Sequence, residues 1–382
     1  MSESQRPADE QIPQKKKKKK KQKKPVTFSG VIRQEKNFLM LVATFFIISG
    51  ATFPYAEIAM WVGFALAGYS AIANDSIQTI GTFIASNSDK KWYWLWAWIG
   101  GIFLITVTYS WLQFDGDVSH QRLQAKGFSQ QPDEFTFLQV AAPIFLMLLT
   151  RLRMPVSTTF LLLSSFSTSA SAIGSVLTKS LGGYFVAFIS AIFIWFAFSW
   201  AFSRYFKGVP ARIWTPVQWV TSGLLWSVWL MQDAANIAVY LPRSLSIYQF
   251  LGFAGYIFIG LGLLLYLRGD RIQSIVTEKS DVTDVRSATV IDFIYAIVLY
   301  IFKFSSQVPM STTWVFIGLL AGREIAMSFT NARGHGKPLS RSFKLMGKDA
   351  LYALIGLAVS IILAAAINPN IKQEILSIFL GG

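Results

Sequence analysis

The sequence predicts an all-α polytopic membrane protein, organised as an inverted repeat with broken helices or re-entrant hairpins and about 10–12 membrane segments. The first observation is composition: 53% of the 382 residues are hydrophobic and only 14% are charged, against about 25% charged residues in an ordinary soluble protein. The second is the length of the apolar runs. Trp92–Leu112 and Leu181–Trp200 contain no charge, and about 20 apolar residues span the hydrocarbon core as a helix. The third is a duplicated pair of motifs, described below.

The apolar runs predict eleven spans along the chain. Strand-like alternation of apolar and polar residues is absent, so helices are expected, because backbone groups in lipid must be satisfied within the segment. The count holds if 155–178 and 309–329 each cross once, and changes if either is a re-entrant hairpin. The predicted spans are 37–55, 57–73, 92–112, 134–152, 155–178, 181–203, 213–232, 246–268, 290–306, 309–329 and 348–366.

The N-terminal segment 1–36 is strongly basic, with nine lysines between Lys15 and Lys24. Nucleic-acid binding is one interpretation of such a run. Because an apolar span follows it, we expect instead a disordered cytoplasmic tail that contacts anionic headgroups, at about 1 kcal/mol per basic residue. It lacks the features of a signal peptide. The predicted location is multi-pass in the cell inner or plasma membrane, with basic loops inside and the acidic loop around Asp115 and Asp117 outside.

The residue types exclude several kinds of chemistry. The sequence has no cysteine and only two histidines, His120 and His335, which excludes disulfides, thiolate metal sites and His-rich metal centres. No phosphate-cradling Gly-rich loop or nucleophile–base pair is present. We therefore expect no enzyme activity.

A Pro-x-Ser-Thr-Thr motif occurs twice, as "PVSTT" from Pro155 and "PMSTT" from Pro309. Proline interrupts a helix, and the residues that follow it would start a new one. Consecutive hydroxyls and free backbone N–H groups at such a start suit an oxyanion. The alternative for Ser/Thr clusters is close helix packing through small side chains.

A second motif is also duplicated. Asn74-Asp75 with Gln78 in the first half mirrors Gln232-Asp233 with Asn236 in the second. An aspartate within an apolar region costs about 2.5–3.5 kcal/mol on insertion scales, so a matched pair indicates function. For either aspartate taken by itself, the alternative is a helix cap at a membrane boundary. Carboxylate and amide oxygens suit a hard cation such as sodium.

The paired motifs divide the chain into two halves. We expect a first transmembrane repeat at 37–203, a connector at 204–212 and a second repeat at 213–382. Positive-inside orientation places the two halves in opposite directions. In secondary transporters such inverted repeats place the substrate site at the midplane, between the halves.

In this order, the motifs resemble those of the inorganic phosphate transporter family, the sodium- or proton-coupled phosphate permeases. "NDSIQTIGT" matches through Asn74, Asp75, Gly81 and Thr82, and "QDAAN" matches through Asp233 and Asn236. Both Pro-x-Ser-Thr-Thr motifs match fully, and the small residues that follow in the family correspond to Gly318 and Gly322. The resemblance covers roughly residues 37–366.

The chain departs from the family at four notable positions. The histidine that follows Ser-Thr-Thr is replaced by Phe160 and Trp314, and two asparagines are replaced by Gln78 and Gln232. A glutamine shifts its amide by one methylene, about 1.5 Å. These changes leave sulfate or another oxyanion open as the substrate, and they put the coupling ion in question.

The resemblance implies a secondary active transporter that moves inorganic phosphate or a similar oxyanion by alternating access, coupled to sodium or protons. The rival hypothesis is a non-transporting membrane sensor or assembly protein on the same scaffold. Expected partners are the oxyanion and membrane lipids, not nucleic acid; a homo-oligomer stays open, and no cofactor is expected beyond a sodium coupling ion. Asp75 and Asp233 are the expected sodium ligands. The expected substrate- and ion-binding residues are Asn74, Asp75, Gln78, Thr82, Ser157, Thr158, Thr159, Gln232, Asp233, Asn236, Ser311, Thr312 and Thr313.

Overall fold

A computed structural model describes residues 28–152, 154, 156–205, 208–267, 284–330 and 339–380. Two compact units divide at residue 43. In the N-terminal unit the described residues form the first part of helix α1, which begins at Phe28. Residues 28–36 of the predicted tail are therefore helical, because the first helix continues beyond its apolar run. The rest of that tail lies outside the described residues.

The described residues are helical almost throughout and include no strand, as the composition predicts. The α-helices of the described residues are α1 Phe28–Thr52, α2 Ala56–Ser86, α3 Trp92–Gln113, α4 Phe137–Arg151, α5 Thr158–Leu161, α6 Ala170–Tyr205, α7 Trp214–Ala238, α8 Ile247–Leu267, α9 Val285–Ser305, α10 Thr312–Thr330, α11 Leu339–Ile367 and α12 Pro369–Leu380. Two short 3-10 helices cover Arg122–Gln124 and Leu163–Phe166.

The chain is an integral membrane protein. Within the described part of the chain, six helices are long and apolar enough to cross a membrane: α2 (in its first half), α3, α6, α8, α9 and α11. The second half of α2 carries the Asn-Asp segment. Helix α7 is less apolar than these six helices because it carries buried polar residues, among them Gln218, Ser222 and Asp233.

The predicted span 155–178 is not a single helix. The chain forms the four-residue α5, a 3-10 turn that ends at Phe166, and then the first turns of α6 from Ala170. Hydroxyl side chains accompany the break: Ser165 Oγ donates to Leu161 O at 2.7 Å, and Ser167 Oγ donates to Ser169 O at 2.9 Å. Ser and Thr side chains that bond nearby backbone groups compete with regular helix.

Matching helices of the two halves run in opposite directions. Helix α2 is antiparallel to α7, because the end of α2 at Asn87 meets Gln218 near the start of α7, while Gly63 faces Tyr240 just beyond its end. Helix α3 is likewise antiparallel to α8. Trp92 contacts Tyr266 at one end of that pair, and Trp111 stacks on Phe250 at the other. These directions are those of an inverted repeat.

Helix α10 packs along α6 through two glycines. A Cβ atom at Gly318 would collide with the carbonyl oxygen of Tyr184, and one at Gly322 with that of Phe188. The two helices therefore run parallel, with their backbones in contact, as small residues allow in membrane proteins. Helix α10 begins at Thr312, directly after the N-cap residue Ser311 of the second Ser-Thr-Thr triplet.

Candidate functional site

The centre of the candidate site is the carboxylate of Asp233, on α7. Its Oδ1 accepts from the Asn236 side-chain amide at 3.0 Å and from the Thr159 hydroxyl at 3.4 Å. Its Oδ2 accepts a short hydrogen bond from the Thr312 hydroxyl. One aspartate in the second half of the chain thus contacts a threonine from each Ser-Thr-Thr motif.

Asn236 lies one helical turn after Asp233 and extends the contact to the first-half motif. Its Nδ2 lies 3.1 Å from Thr158 Oγ1 and 3.2 Å from Thr159 Oγ1. The offset of three residues puts both side chains on the same face of α7. The sequence motif "QDAAN" therefore presents a carboxylate and an amide together to the hydroxyl triplets.

The serine of each triplet determines how its helix starts. Ser157 Oγ accepts from Phe160 N at 3.2 Å, and Ser311 Oγ accepts from Trp314 N at 3.3 Å. Both are N-cap bonds, which leave the two following threonines in the first helical turn. Pro155 lies outside the described residues, and Pro309 directly precedes the second start.

All six hydroxyl residues of the two triplets are buried away from lipid and water. Their exposed fractions do not exceed 4%, so no triplet faces acyl chains. Asp233 is also buried, at 3%. A buried carboxylate needs hydrogen bonds or a cation nearby to offset its lost hydration. Movement of the surrounding helices is needed before a solute can reach this group.

Around Asp233 the described residues offer more hydrogen-bond acceptor oxygens than donor hydrogens. The Thr159 hydroxyl has one hydrogen but lies within reach of both Asp233 Oδ1 and Met310 O, the latter at 3.3 Å. Among the described residues, the side-chain oxygens of Gln232 and Asn236 have no donor, although both are buried. Such an oxygen-rich site suits a hard cation.

Aromatic side chains close the site. Trp229 Nε1 donates to Thr312 Oγ1 at 3.2 Å, and the Tyr295 hydroxyl donates to Thr312 O at 2.9 Å. Phe160 and Trp314, which follow the two Ser-Thr-Thr triplets, contact each other with ring centroids 5.4 Å apart. The two departures from the motif therefore form one apolar contact between the halves.

Asp75 is buried at 3% in the second half of α2. Asp75 and Asp233 are both within electrostatic range of the Tyr295 hydroxyl. The backbone oxygen of Asp75 also accepts from Thr79 Oγ1 at 3.1 Å. The side chains of Asn74 and Gln78 lie outside the part that the structure describes.

Thr82 belongs to a second polar cluster. Its hydroxyl donates to Asp292 Oδ1 at 2.7 Å, and Asp292 Oδ2 accepts a short bond from Ser222. Gln218 and Asn87 continue this cluster, with Asn87 Nδ2 donating to Gln218 Oε1 at 2.7 Å. Thr82 therefore makes its contact two helical turns from Asp75. Sequence reasoning missed Asp292, although an acid within the apolar run "VIDFIYAIVLY" carried the same signal as Asp75.

Arg122 was also missed. It is fully buried in the loop after α3, and its guanidinium donates to Met231 O at 3.4 Å and Lys303 O at 3.1 Å. Burial lowers the pKa of Arg122 to about 10, and the charge of Asp233 opposes that shift. The arginine thus carries a positive charge close to the centre of the site.

A tight turn places Arg122 there. The carboxylate of Asp117 accepts from Ser119 N at 2.6 Å and from Gln121 N at 2.7 Å, and His120 and Gln121 have positive φ angles of 50° and 62°. Burial, together with the charge of Lys303, lowers the pKa of His120 to about 4, so His120 is neutral at pH 7.

Arg243, which follows the second Asp motif, contacts backbone carbonyl groups of two connecting segments. It donates to the carbonyl oxygens of Val239, Leu241, Phe128 and Gln130 at 2.8–3.2 Å. These bonds anchor the connection after α7 to the loop before α4.

Together, the fold and this centre define an all-helical integral membrane protein in which two inverted halves share a buried polar site. No protein-family model and no curated protein matches the sequence. Among solved structures, one described as "The sodium-dependent phosphate transporter" has a similar fold, with a TM-score of 0.52. The sequences are 18% identical, and the match covers 84% of this chain and 99% of that one. At this identity the likeness is one of fold.

Proposed function

We propose that the protein is a secondary active transporter that moves inorganic phosphate, or a similar oxyanion, together with sodium or protons. The observation that carries this proposal is the meeting of both Ser-Thr-Thr triplets at Asp233. Residues from two inverted halves converge there in a buried, polar centre, where secondary transporters bind their substrates. The fold shared with a sodium-dependent phosphate transporter supports the same conclusion.

Asp233 is the proposed ligand of a sodium ion. Its carboxylate, the threonine hydroxyls and the side-chain oxygens of Gln232 and Asn236, which have no donor among the described residues, supply hard oxygen ligands. A monovalent cation would compensate the buried negative charge. Asp75, near the same tyrosine, is proposed as the second acidic group, with Asn74 and Gln78 adding oxygens or amide donors.

The threonine hydroxyls offer a physical basis for coupling. In this structure the hydroxyl hydrogen of Thr312 points at the Asp233 carboxylate. A cation bound to Asp233 and to the same hydroxyl oxygen would turn that hydrogen away, because a hydroxyl that coordinates through its lone pair donates in another direction. The freed hydrogens of Thr159 and Thr312 could then donate to an oxyanion, whose affinity would rise with sodium. Such coupling is reciprocal.

Helix α10 would contribute its positive end to the oxyanion. It is 19 residues long, and the N–H groups of its first turn and the Thr312 and Thr313 hydroxyls lie at its start. The triplets are closed in this structure, so alternating access requires the short α5 segment or the start of α10 to move. The short α5 segment is the more easily displaced, since only four residues hold it as a helix.

The test is uptake into vesicles reconstituted with the purified protein. We expect labelled phosphate or sulfate to accumulate inside, and accumulation to rise when a sodium or proton gradient points inward. The Asp233→Asn variant should insert normally into the membrane but show no anion uptake. No uptake of either anion under any gradient would contradict the proposal.

A membrane sensor or assembly protein is the second candidate. The apolar contact of Phe160 with Trp314, where the family has two histidines, favours it, because these rings close the site. Oxyanion binding measured on the purified protein, beside the flux assay, separates the two functions. A sensor binds the anion without moving it, whereas a transporter does both.

We also propose that the basic tail faces the cytoplasm and contacts anionic lipids. Because the chain has no cysteine, a single Ser4→Cys substitution gives a unique label site. A membrane-impermeant thiol reagent added to intact cells should leave it unmodified, and modification from outside would reverse the proposed orientation.

A further inference from the structure

Three basic side chains meet beside the site, and no sequence motif pointed to them. Arg122 comes from the loop after α3, Lys179 from α6 and Lys303 from α9. Lys179 Nζ donates to Ser306 O at 2.8 Å and to Val308 O at 2.6 Å, and Arg122 Nη1 donates to the same Ser306 oxygen at 2.5 Å. We call Arg122, Lys179 and Lys303 the basic cluster.

The basic cluster contacts the backbone a few residues before Asp233 and a few residues before the second Ser-Thr-Thr triplet. Arg122 bonds the carbonyl of Met231, two residues before Asp233, and Lys179 bonds that of Val308, three residues before Ser311. Lys303 Nζ donates to His120 O at 3.0 Å, which ties α9 to the loop. The cluster therefore adjoins the place where the proposed substrate binds.

Helix capping accounts for only part of this arrangement. Carbonyls of Lys303 and Ser306, at the end of α9, accept from Arg122, as cations at a helix C-terminus do. One basic group satisfies that need, yet three are present, and they disfavour one another's positive charge. Among the described residues none of the three forms an ion pair. Asp117 attracts Lys303, and Asp233 attracts Arg122, at distances longer than an ion pair.

The cluster also keeps unused hydrogen-bond donors. An arginine has five N–H groups and a lysine three. Arg122 uses three of its five, Lys179 two of three, and Lys303 one of three on partners among the described residues. Lys179 and Lys303 are half-buried, whereas Arg122 is fully buried. The spare donors thus extend from partly exposed lysines to a buried guanidinium near Asp233.

We propose that the basic cluster is an access site, where a tetrahedral oxyanion such as phosphate or sulfate binds before it reaches the Ser-Thr-Thr centre. The inference rests on the proposed function. Several basic side chains that form no ion pair and keep spare N–H donors among the described residues match the charge and the acceptor oxygens of such an anion. A cationic lining also raises the local anion concentration and the association rate, and salt screens that effect.

The experiment uses Lys179→Gln and Lys303→Gln, since the two lysines are half-buried and their loss threatens folding less than loss of Arg122. In reconstituted uptake of phosphate, each variant should raise the half-saturation concentration about fivefold, as expected for one nearby charge, and leave the maximal rate near that of the unchanged protein. The dependence on ionic strength should weaken in both variants.

Lys126→Gln is the matched control. Lys126 lies in the same loop as Arg122 and is exposed, so it tests whether any positive charge on this face has the same effect. We expect it to behave as the unchanged protein. Lys303→Arg keeps the charge and should restore most of the lost affinity. A purely structural role would lower thermal stability in both lysine variants without changing the half-saturation concentration, and that result would overturn the proposal.

Failure of the inference is distinguishable from failure of the proposed function. If the unchanged protein takes up phosphate and both lysine variants match it, the access site is wrong and transport stands. If no anion is taken up, calorimetric binding of phosphate and sulfate to the purified protein decides. Binding that Lys303→Gln weakens and Lys126→Gln preserves supports the cluster as an anion site; binding equal in both, or none, refutes it.

Discussion

The same Ser-Thr-Thr triplet begins two helices of very different length. After Thr158 the helix ends within four residues, at Leu161, whereas after Thr312 it continues for 19 residues, to Thr330. In both cases the serine forms the N-cap bond and the threonines reach Asp233 or its neighbour Asn236. The motif therefore sets the start of the helix, and the residues after it set the length.

The downstream residues explain the difference. The first-half segment continues with serines whose hydroxyls bond nearby carbonyls, such as Ser165 to Leu161, and these bonds accompany the end of the regular helix. The second-half segment continues with Gly318 and Gly322, which allow close contact with the backbone of α6. One half thus presents its triplet on a four-residue helix, and the other presents it on a 19-residue helix that packs closely against α6 at Gly318 and Gly322.

The largest expected effect concerns the two aspartates. Asp233→Asn and Asp75→Asn should each lower phosphate uptake at least about 100-fold, because a bound ion loses a charged ligand. Uptake per inserted molecule in vesicles is the measurement, and the exposed Asp89→Asn is the control. Loss of uptake in Asp233→Asn alone would show that the halves contribute unequally; undiminished uptake in both variants would refute the ion-binding role.

Glycine substitutions test how tightly the helices that adjoin the two triplets are packed. Gly318→Ala places a methyl group against the carbonyl oxygen of Tyr184, and we expect a loss of about 1–3 kcal/mol of stability from overpacking. On α11, Gly356→Ala meets only the side chain of Val156, the residue just before the first triplet, at 3.3 Å, and should cost less. Thermal unfolding in detergent measures both.

Gly101→Ala in α3 is the matched control for these substitutions, because its added Cβ would meet no described atom within 4 Å beyond the local backbone of its own helix. It should gain up to about 1 kcal/mol from helix propensity. Equal losses at Gly318 and Gly356 would mean that the surroundings of the two triplets are packed alike, contrary to the contrast drawn above.

The smallest expected effect concerns the two N-caps. Ser311→Ala removes the cap of a 19-residue helix and should cost about 1 kcal/mol. Ser157→Ala removes the same bond from the four-residue α5, which has far fewer helical hydrogen bonds that depend on its cap, and should cost only a few tenths of a kcal/mol. Thermal unfolding of the two variants side by side is the measurement. A larger loss for Ser157→Ala would contradict the proposal that α5 is the more easily displaced of the two helix starts.

The sequence predicts the helical membrane fold and the core of the site for a physical reason. Acids and hydroxyl triplets within apolar runs are costly unless they meet partners, so their duplication at matching positions marks residues that meet. Asp233, Asn236, Thr159 and Thr312 do so.

The rest depends on tertiary structure. Arg122, Lys179 and Lys303 lie far apart in the sequence, and only the packing of a loop against α6 and α9 brings their long side chains together. Segment 155–178 is apolar enough for a span, but composition does not report where serine hydroxyls end a helix. Asp292 has no duplicated partner motif, and so a search for repeats passes over it.

The most direct test of the convergence at Asp233 is a double-mutant cycle of Thr159→Val and Thr312→Val, with thermal unfolding of the purified protein as the measurement. Because both hydroxyls bond one carboxylate, their effects on the free energy of unfolding should deviate from additivity by at least about 0.5 kcal/mol. Thr159→Val combined with Thr178→Val, which removes an exposed hydroxyl on α6, should be additive. Additive losses for Thr159 and Thr312 as well would show that the two triplets do not share a site, and the account would be wrong.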